Sequence, residues 1–339
     1  MSWDFHPATE KSEEWRKDWD TLNQSRHNHV LLDSAFIAPL VKHFGGGQVW
    51  VARSASSQRP GMVLLTRNGK MGWETFQPAQ APIGLIVLGQ RDETGGCLRQ
   101  LLRELPGYCV QLGIRQQDPA CSDFPPLTGY SDMELVEYIR TARLSLAGTF
   151  EEYWQSRGRN LRHNMARRRR RLTEQGYTLE LLAHRTPEKV AECIGEYGRL
   201  ETQGWKAEGG TAVAKDNAQG RYYREIFEAF CARGEAVIYQ LLLNGKIAAS
   251  DLCLQRAGML VVLKTTYDEQ LEDFSPGFLM REEIMKRLHA ENQVRVVEFY
   301  GRLREWHTRW TDDIRQMYHL NCYRHNWVPG IKRLLKKLA

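Results

Sequence analysis

Three short runs of β-forming residues followed by a Ser-Pro-Gly turn, between Gly234 and Leu288, constrain the fold of this chain more than any other stretch. The runs are Ala236–Leu243, Ile247–Gln255 and Met259–Tyr267, joined by Asn244-Gly245 and Ala257-Gly258. Asn-Gly supplies the positive-φ residues of a two-residue hairpin turn, and Gly258 meets the same need at the second junction. A polar loop, Glu269–Phe274, leads to Ser275-Pro276-Gly277. Serine suits a helix N-cap, proline has the fixed φ and missing N–H of the first helical position, and glycine leaves the backbone unshielded. The expected helix runs from Phe278 to about His289, with Met280, Ile284 and Leu288 on one stripe and Phe278 and Met285 beside it. Such an N-terminus presents free amides and the positive end of a dipole, and anionic phosphates are its usual guests.

The remainder of the chain reads as more of the same material. Met1–Asp20 is polar and tryptophan-bearing, a short amphipathic or else a loose lead-in. Ser34–Phe44 reads as a helix closed by Gly45-Gly46-Gly47; no Gly-Lys-Ser/Thr follows, so the glycines are a turn into a strand at Gln48–Arg53 rather than a P-loop. Strands follow at Gly61–Arg67, Met71–Gln77 and Gly84–Leu88, then a helix at Gly96–Glu104 and a strand at Tyr108–Gly113. This loosely repeats the hairpins-then-helix order of the centre. A boundary is expected near Asp118–Ser131, with Glu137–Leu146 a strand bridging the halves. Phe150–Glu174 reads as one long helix carrying Arg157, Arg159, Arg162 and the run Arg167–Arg171. Consecutive arginines point all round a helix, so no more than two or three share a face. They either pair with acidic neighbours or contact phosphates. A strand (Tyr177–Ala183), a helix (Pro187–Gln203), the segment Trp205-Lys206 with Gly209-Gly210-Thr211, and a helix (Gln219–Arg233) precede the central hairpins. The chain closes with a strand at Arg315–Tyr323 and a basic helix at Val328–Leu338.

Composition narrows the class. With 339 residues, 42% hydrophobic and 26% charged, one or two globular domains with real cores are expected. Met1–Trp15 has no apolar h-region, and no apolar run approaches the ~18 residues of a membrane span, so a cytoplasmic location without a transmembrane segment is expected. Seven cysteines without a C-x-x-C pair, and dispersed histidines, point to reduced thiols and no metal site. The formal charge of +6 draws acidic cofactors and nucleic acid alike.

In order and spacing, "NGKIAASDLCL", a strand ending "TTYDE", "FSPGFLMREEIM" and "VEFYGRLREWHTRW" resemble the GNAT-like acetyltransferases that include the CelD-type and Fem-type transferases. Upstream, "FEEYWQSRGRNLRHNMARRRRRLTEQG" and "YGRLETQGWKAEGGTAVA" are similar to the first helices of that domain, so the likeness spans Leu144 to Tyr323. It implies an α/β fold of the α+β type, a mixed sheet flanked by helices in two tandem GNAT-like halves. Residues 1–130 would be a degenerate half, 131–325 the catalytic one and 326–339 the basic helix. The implied activity is transfer of an acyl group, acetyl foremost, from acyl-CoA to an amine of a small molecule, sugar or cell-envelope precursor. Two alternatives stand beside it. One is Fem-like transfer from aminoacyl-tRNA, anchored by Arg167, Arg168, Arg169, Arg170 and Arg171. The other is a catalytically inactive module that binds nucleic acid or protein. No metal is implied, and the sequence does not set an oligomeric state.

In that scheme an amine attacks the thioester directly, so the protein holds the donor, stabilises an oxyanion, removes a proton and lets the thiolate leave. The resemblance assigns the donor's pyrophosphate to the amides of Ser275, Gly277, Phe278 and Leu279, which replace the family's Q/R-x-x-G-x-G/A loop. It assigns the oxyanion to main-chain amides of the strand holding Lys264 and Thr265; the Lys264 side chain is either a solvent-face residue or a phosphate contact. Asp251, Glu298 and Asp268 are the candidate bases, and a carboxylate mid-strand such as Asp251 is costly unless exposed, paired or used. Tyr267, Tyr300 and His307 are candidate acids for the thiolate. His307 stands where the family carries a lysine ahead of a tryptophan, here Trp310. Glu201, Trp205, Lys206 and Trp310 would line the acceptor cleft.

Overall fold

A computed structural model of the chain describes residues 2–56, 58–89, 94–121, 130–203, 213–214 and 216–331. The backbone divides into two units, Met1–Arg140 with Arg315–Ala339, and Thr141–Ile314. The first unit holds β1 (Trp3–Pro7), α1 (Ser12–Arg26), α2 (Ser34–Phe44), β2 (Trp50–Ser54), β3 (Gly61–Arg67), β4 (Gly72–Thr75), β5 (Ile86–Leu88), α3 (Thr94–Glu104) and β6 (Gln111–Gln117). Strands β1 to β4 form an antiparallel meander, and β6 lies parallel beside β4. Of the two readings of the lead-in, the amphipathic one holds. Its tryptophans decide this, because Trp15 and Trp19 share one face of α1, are buried, and donate their indole N–H groups to Ala8 O (3.0 Å) and Leu32 O (2.7 Å).

The chain leaves this unit along β7 (Met133–Ser145) and continues through α4 (Phe150–Ser156), α5 (Arg159–Glu174), β8 (Leu179–His184), α6 (Pro187–Gln203) and α7 (Ala218–Cys231). Then come β9 (Ala236–Leu243), β10 (Lys246–Arg256), β11 (Met259–Tyr267), α8 (Pro276–Glu291), β12 (Val296–Glu298) and α9 (Glu305–Trp310). The last strand, β13 (Ile314–Tyr323), pairs antiparallel with β6 of the first unit. Residues 315–323 thus belong with the first unit, not with the catalytic half the sequence assigned them to, because their hydrogen bonds go to β6. The chain crosses to the second unit at 140/141, inside β7, ten residues beyond the expected boundary at 130. The expected single helix over 150–174 is two, broken where Arg157 (ψ 154°) and Gly158 (ψ 138°) are extended. A helix begins at Val328; Lys332, Arg333, Lys336 and Lys337 of the expected basic helix lie outside the described residues. Among the described residues no helix is long and apolar enough to cross a membrane.

In the second unit β8, β9, β10 and β11 are antiparallel, and β12 runs parallel to β11 with β7 antiparallel on its far side. Both hairpin turns use two positive-φ residues, Asn244 (50°) with Gly245 (74°) and Ala257 (52°) with Gly258 (81°). That is the twist a two-residue turn needs to match its strands. Helix α8 covers one face of β9–β11 through Met280, Ile284, Met285 and Leu288, all fully buried, while α6 and α7 pack against the same strands from the other side.

Two local departures from a regular sheet shape the second unit. In β11 Val262 faces Cys253 and Lys264 faces Leu252, which leaves Leu263 as the extra residue of a β-bulge. Side-chain alternation restarts there, so Thr265 and Tyr267 turn to the α8 side and Lys264 to the α6 side. Pairing of β12 with β11 also stops early, at Val261↔Glu298. Tyr300 adopts φ 48° and Gly301 N–H bonds to Phe299 O at 2.6 Å, a tight turn that leads the chain away from the sheet. A bulky residue in the left-handed region stores on the order of 1–3 kcal/mol, so the surrounding packing must hold it there. From Val262 onward β11 has no strand partner on that side among the described residues.

Candidate active site

The start of α8 differs in detail from the sequence expectation. Residues Glu269–Phe274 form a 3₁₀ turn rather than a loop, capped by the Asp268 side chain, which accepts from Gln270 N at 2.9 Å. Ser275 is left-handed (φ 51°, ψ 63°), and its hydroxyl donates back to Glu272 O at 3.2 Å instead of capping α8. The turn consumes most of its own amides. Ser275 N–H goes to Glu272 O (2.8 Å), and Phe278 and Leu279 N–H both go to Ser275 O (2.9 and 3.2 Å). Pro276 has none to give, so Gly277 supplies the remaining amide. The expected four-residue phosphate cradle is therefore narrower. Leu279 contributes only a core side chain. Space in front of Gly277 is open, for a Cβ there would meet nothing closer than Tyr267 Cδ1 at 3.7 Å.

Where β11 and β12 part, a cavity of about 240 Å³ opens. Thr265 and Tyr267 of β11 form one wall, Ser275, Gly277 and Phe278 another, and Trp310 of α9 a third. All six were expected at the site from sequence. Glu272, Arg281 and Trp306 complete the lining and were not. Arg281 could have been found, because it follows Gly277 by four residues and so lies beneath it on one helix face. Its side chain is 3% exposed, its Nη2 lies 2.7 Å from Asp251 Oδ2, and its guanidinium stands over the rings of Phe299 (5.2 Å) and Trp306 (6.0 Å). Nε and Nη1 have no hydrogen-bond partner. Asp251, a mid-strand carboxylate with no exposed surface, is thus occupied as the partner of a buried cation.

At the cavity lip the Phe278 ring lies between two arginines, Arg168 at 5.3 Å and Arg309 at 5.7 Å. Burial first, then the nearby charges of Arg167 and Arg309, lower the pKa of Arg168, whose hydrogen bond goes to Met165 Sδ rather than to a carboxylate. The other arginines of the run divide. Arg169 pairs with Glu282 (2.7 Å) and Glu283, Arg171 with Asp273 (3.1 Å), and Arg167 and Arg170 are exposed. Pairing with acidic neighbours, one of the two sequence alternatives, is what Arg169 and Arg171 do.

The remaining expected residues lie elsewhere. Lys264, read from sequence as either a solvent-face residue or a phosphate contact, is turned by the bulge to the α6 side, where Nζ lies 3.4 Å from both oxygens of Glu201. Glu201 is buried and also accepts from Tyr197 OH (3.1 Å) and Val213 N (2.8 Å), so it braces that side of the sheet. Glu298 is buried at the end of β12, on the side opposite its core neighbour Val297. Tyr300 is buried in the turn that follows. Trp205 and Lys206 lie outside the described residues. Among the described residues no group of His, Cys, Asp and Glu could hold a metal ion.

His307 does not line the cavity. Its ring stacks on Trp306 at 3.7 Å, and it sits within hydrogen-bonding distance of Arg304 N (2.9 Å to Nδ1). Burial, helped by the charges of Arg281 and Arg304, lowers its pKa from 6.5 to about 4. It is neutral at pH 7 and so is not an imidazolium poised to protonate a thiolate. The shift has a consequence for stability. Between pH 6.5 and about 4 the unfolded chain binds a proton here that the folded chain does not. The contribution is complete above pH 6.5 and falls as pH drops toward 4, by roughly 3 kcal/mol in all. Urea unfolding of wild type and His307→Gln across this range should show that difference in slope. Parallel curves would mean that the imidazole is not held neutral.

Residues 159–308 match the acetyltransferase (GNAT) domain family. No curated protein matches the chain. Among solved structures, a C-terminal DUF2156 domain from Agrobacterium fabrum, a lysylphosphatidylglycerol synthetase by assignment only, aligns with TM-score 0.58 at 14% identity over 96% of this chain and 95% of its own. FemX aligns with TM-score 0.57 at 10% identity over 98% and 99%. A conserved protein from Bacteroides thetaiotaomicron gives 0.56 at 14% over 91% and 97%. Identities this low speak for the shared fold alone. The second unit therefore carries a GNAT acetyltransferase domain over residues 159–308, as an acyltransferase does, and FemX shares the fold over nearly the full length of the chain.

Proposed function

We propose that the protein transfers an acyl group from an acyl-CoA to the amine of a small molecule, sugar or cell-envelope precursor. The observation that carries this reading is the parting of β11 from β12 beside Gly277, which opens the aromatic-walled cavity. The residues present fit such a donor. Gly277 N–H and the half-buried Arg168 face the place for phosphates, and Tyr267, Phe278 and Trp310 supply apolar surface for the pantetheine arm. Main-chain amides of β11 beyond Val262, on the side β12 has left, are available to an oxyanion. The bound donor supplies a thioester carbonyl. As the amine's nitrogen–carbon bond forms the carbon–sulfur bond breaks, and the thiol leaves with a proton from the nitrogen. Glu298, at the last bridge before the strands part, takes up the amine proton, and Tyr267 in the cavity wall returns one to sulfur, with Tyr300 as the alternative donor.

Titration calorimetry with CoA and acyl-CoA tests the donor. Arg168→Ala should weaken binding by about tenfold and flatten its salt dependence. Failure of every CoA species to bind would remove the reading. Glu298→Gln should lower kcat by about a hundredfold or more with donor affinity intact. A second reading rests on Arg167 and Arg170, which α5 leaves exposed. They suit a polyanionic donor, aminoacyl-tRNA, whose binding should fall steeply with salt.

A further inference from the structure

The acyl-CoA reading names the donor class; the deep end of the slot says more about the acyl group. Arg281 lies one helical turn below Gly277 and is nearly sealed from solvent (3% exposed). A guanidinium has five N–H donors, and buried donors in folded proteins are almost always satisfied. Here Asp251 Oδ2 lies 2.7 Å from Nη2 as an ion pair in which neither carboxylate oxygen completes a hydrogen bond, while Nε and Nη1 have no acceptor. No acceptor of the cavity wall, whether of Thr265, Tyr267, Glu272 or Ser275, reaches Nε or Nη1. Phe299 and Trp306 stand against the guanidinium, so little water can substitute there. A donor anchored by its phosphates near Gly277 reaches Arg281 with its far end, which is the acyl group.

We propose that this slot selects an acyl group ending in a carboxylate, a half-thioester of a dicarboxylic acid such as malonyl or succinyl, with Arg281 as the anchor and Asp251 holding the guanidinium in place. A neutral acceptor such as an amide oxygen can take one of the two open donor positions. A carboxylate offers two oxygens and a charge, and charged hydrogen bonds of this kind are about twice as strong as neutral ones. The proposal rests on the acyl-CoA reading and can fail separately from it.

Calorimetry of the full chain with CoA, acetyl-CoA, malonyl-CoA and succinyl-CoA decides it. At least one carboxylate-bearing thioester should bind about tenfold or more tightly than acetyl-CoA. In the double variant Arg281→Gln/Asp251→Asn, which removes both charges together, that thioester should fall to the affinity of acetyl-CoA. Equal affinities in the wild type overturn the proposal and leave the acyl-CoA reading standing, with no variant needed. A preference that survives in the double variant removes Arg281 from the role. If neither CoA nor any thioester binds, both readings fall.

Discussion

Gly277→Asp is expected to reduce donor affinity by about a hundredfold or more while the chain stays folded and becomes slightly more stable. The two halves of this prediction have opposite signs, which makes it diagnostic. On the stability side, a Cβ at Gly277 meets only Tyr267 Cδ1 at 3.7 Å, so a side chain fits without displacing anything. Glycine inside a helix is roughly 0.5–1 kcal/mol worse than alanine, and an acid in the first turn gains roughly 0.3–1 kcal/mol from the helix dipole. On the binding side, the new carboxylate would occupy the place proposed for phosphate. Two like charges about 4 Å apart in a partly screened site repel by about 4 kcal/mol. Calorimetry and a thermal melt on the same preparation give both readings, with Gly277→Ala as a control for size. Unchanged donor affinity would take the start of α8 out of the site. A marked loss of stability would show that the glycine is there for packing.

Asp251→Ala alone is expected to destabilise the fold by about 3–5 kcal/mol, because it leaves the buried Arg281 guanidinium without its counter-charge. Arg281→Met alone should cost a similar amount by stranding the carboxylate. Combined, the two should cost well under their sum, since removing both charges also removes the desolvation each imposed. Equilibrium urea unfolding of the four proteins completes the cycle. Strict additivity would show that the two side chains, though 2.7 Å apart, are not energetically coupled.

Much of the second unit was legible. Asn244-Gly245 and Ala257-Gly258 sit at their turns with positive φ, and β11 has the bounds read from sequence, since alternation and turn chemistry are local properties. Pro276 opens α8 as expected of a first-position proline. What sequence missed is non-local. Nothing in "VVLKTT" announces that Leu263 is an extra residue, so strict alternation from Val262 places Lys264 on the wrong side. Ser275 has the chemistry of a cap, but the preceding 3₁₀ turn takes its hydroxyl and its amide first. Asp251 was noticed because a carboxylate in a buried strand demands an explanation. Its partner lies thirty residues on, in a helix whose docking only the folded chain reveals. For the lead-in, the burial of Trp15 and Trp19 decides between the amphipathic and the loose reading in favour of the first.

The placement of β13 bears on how the protein is made. Residues 141–314 are contiguous, whereas the first unit lacks a neighbour for one side of β6 until residues 314–323 exist. During synthesis the amino-terminal residues emerge first and yet must wait for more than half of the chain to follow. Until then β6 carries a raw edge to which other nascent chains can add. The part translated later completes itself sooner, and the ribosome's order is the reverse of the order in which the two units close.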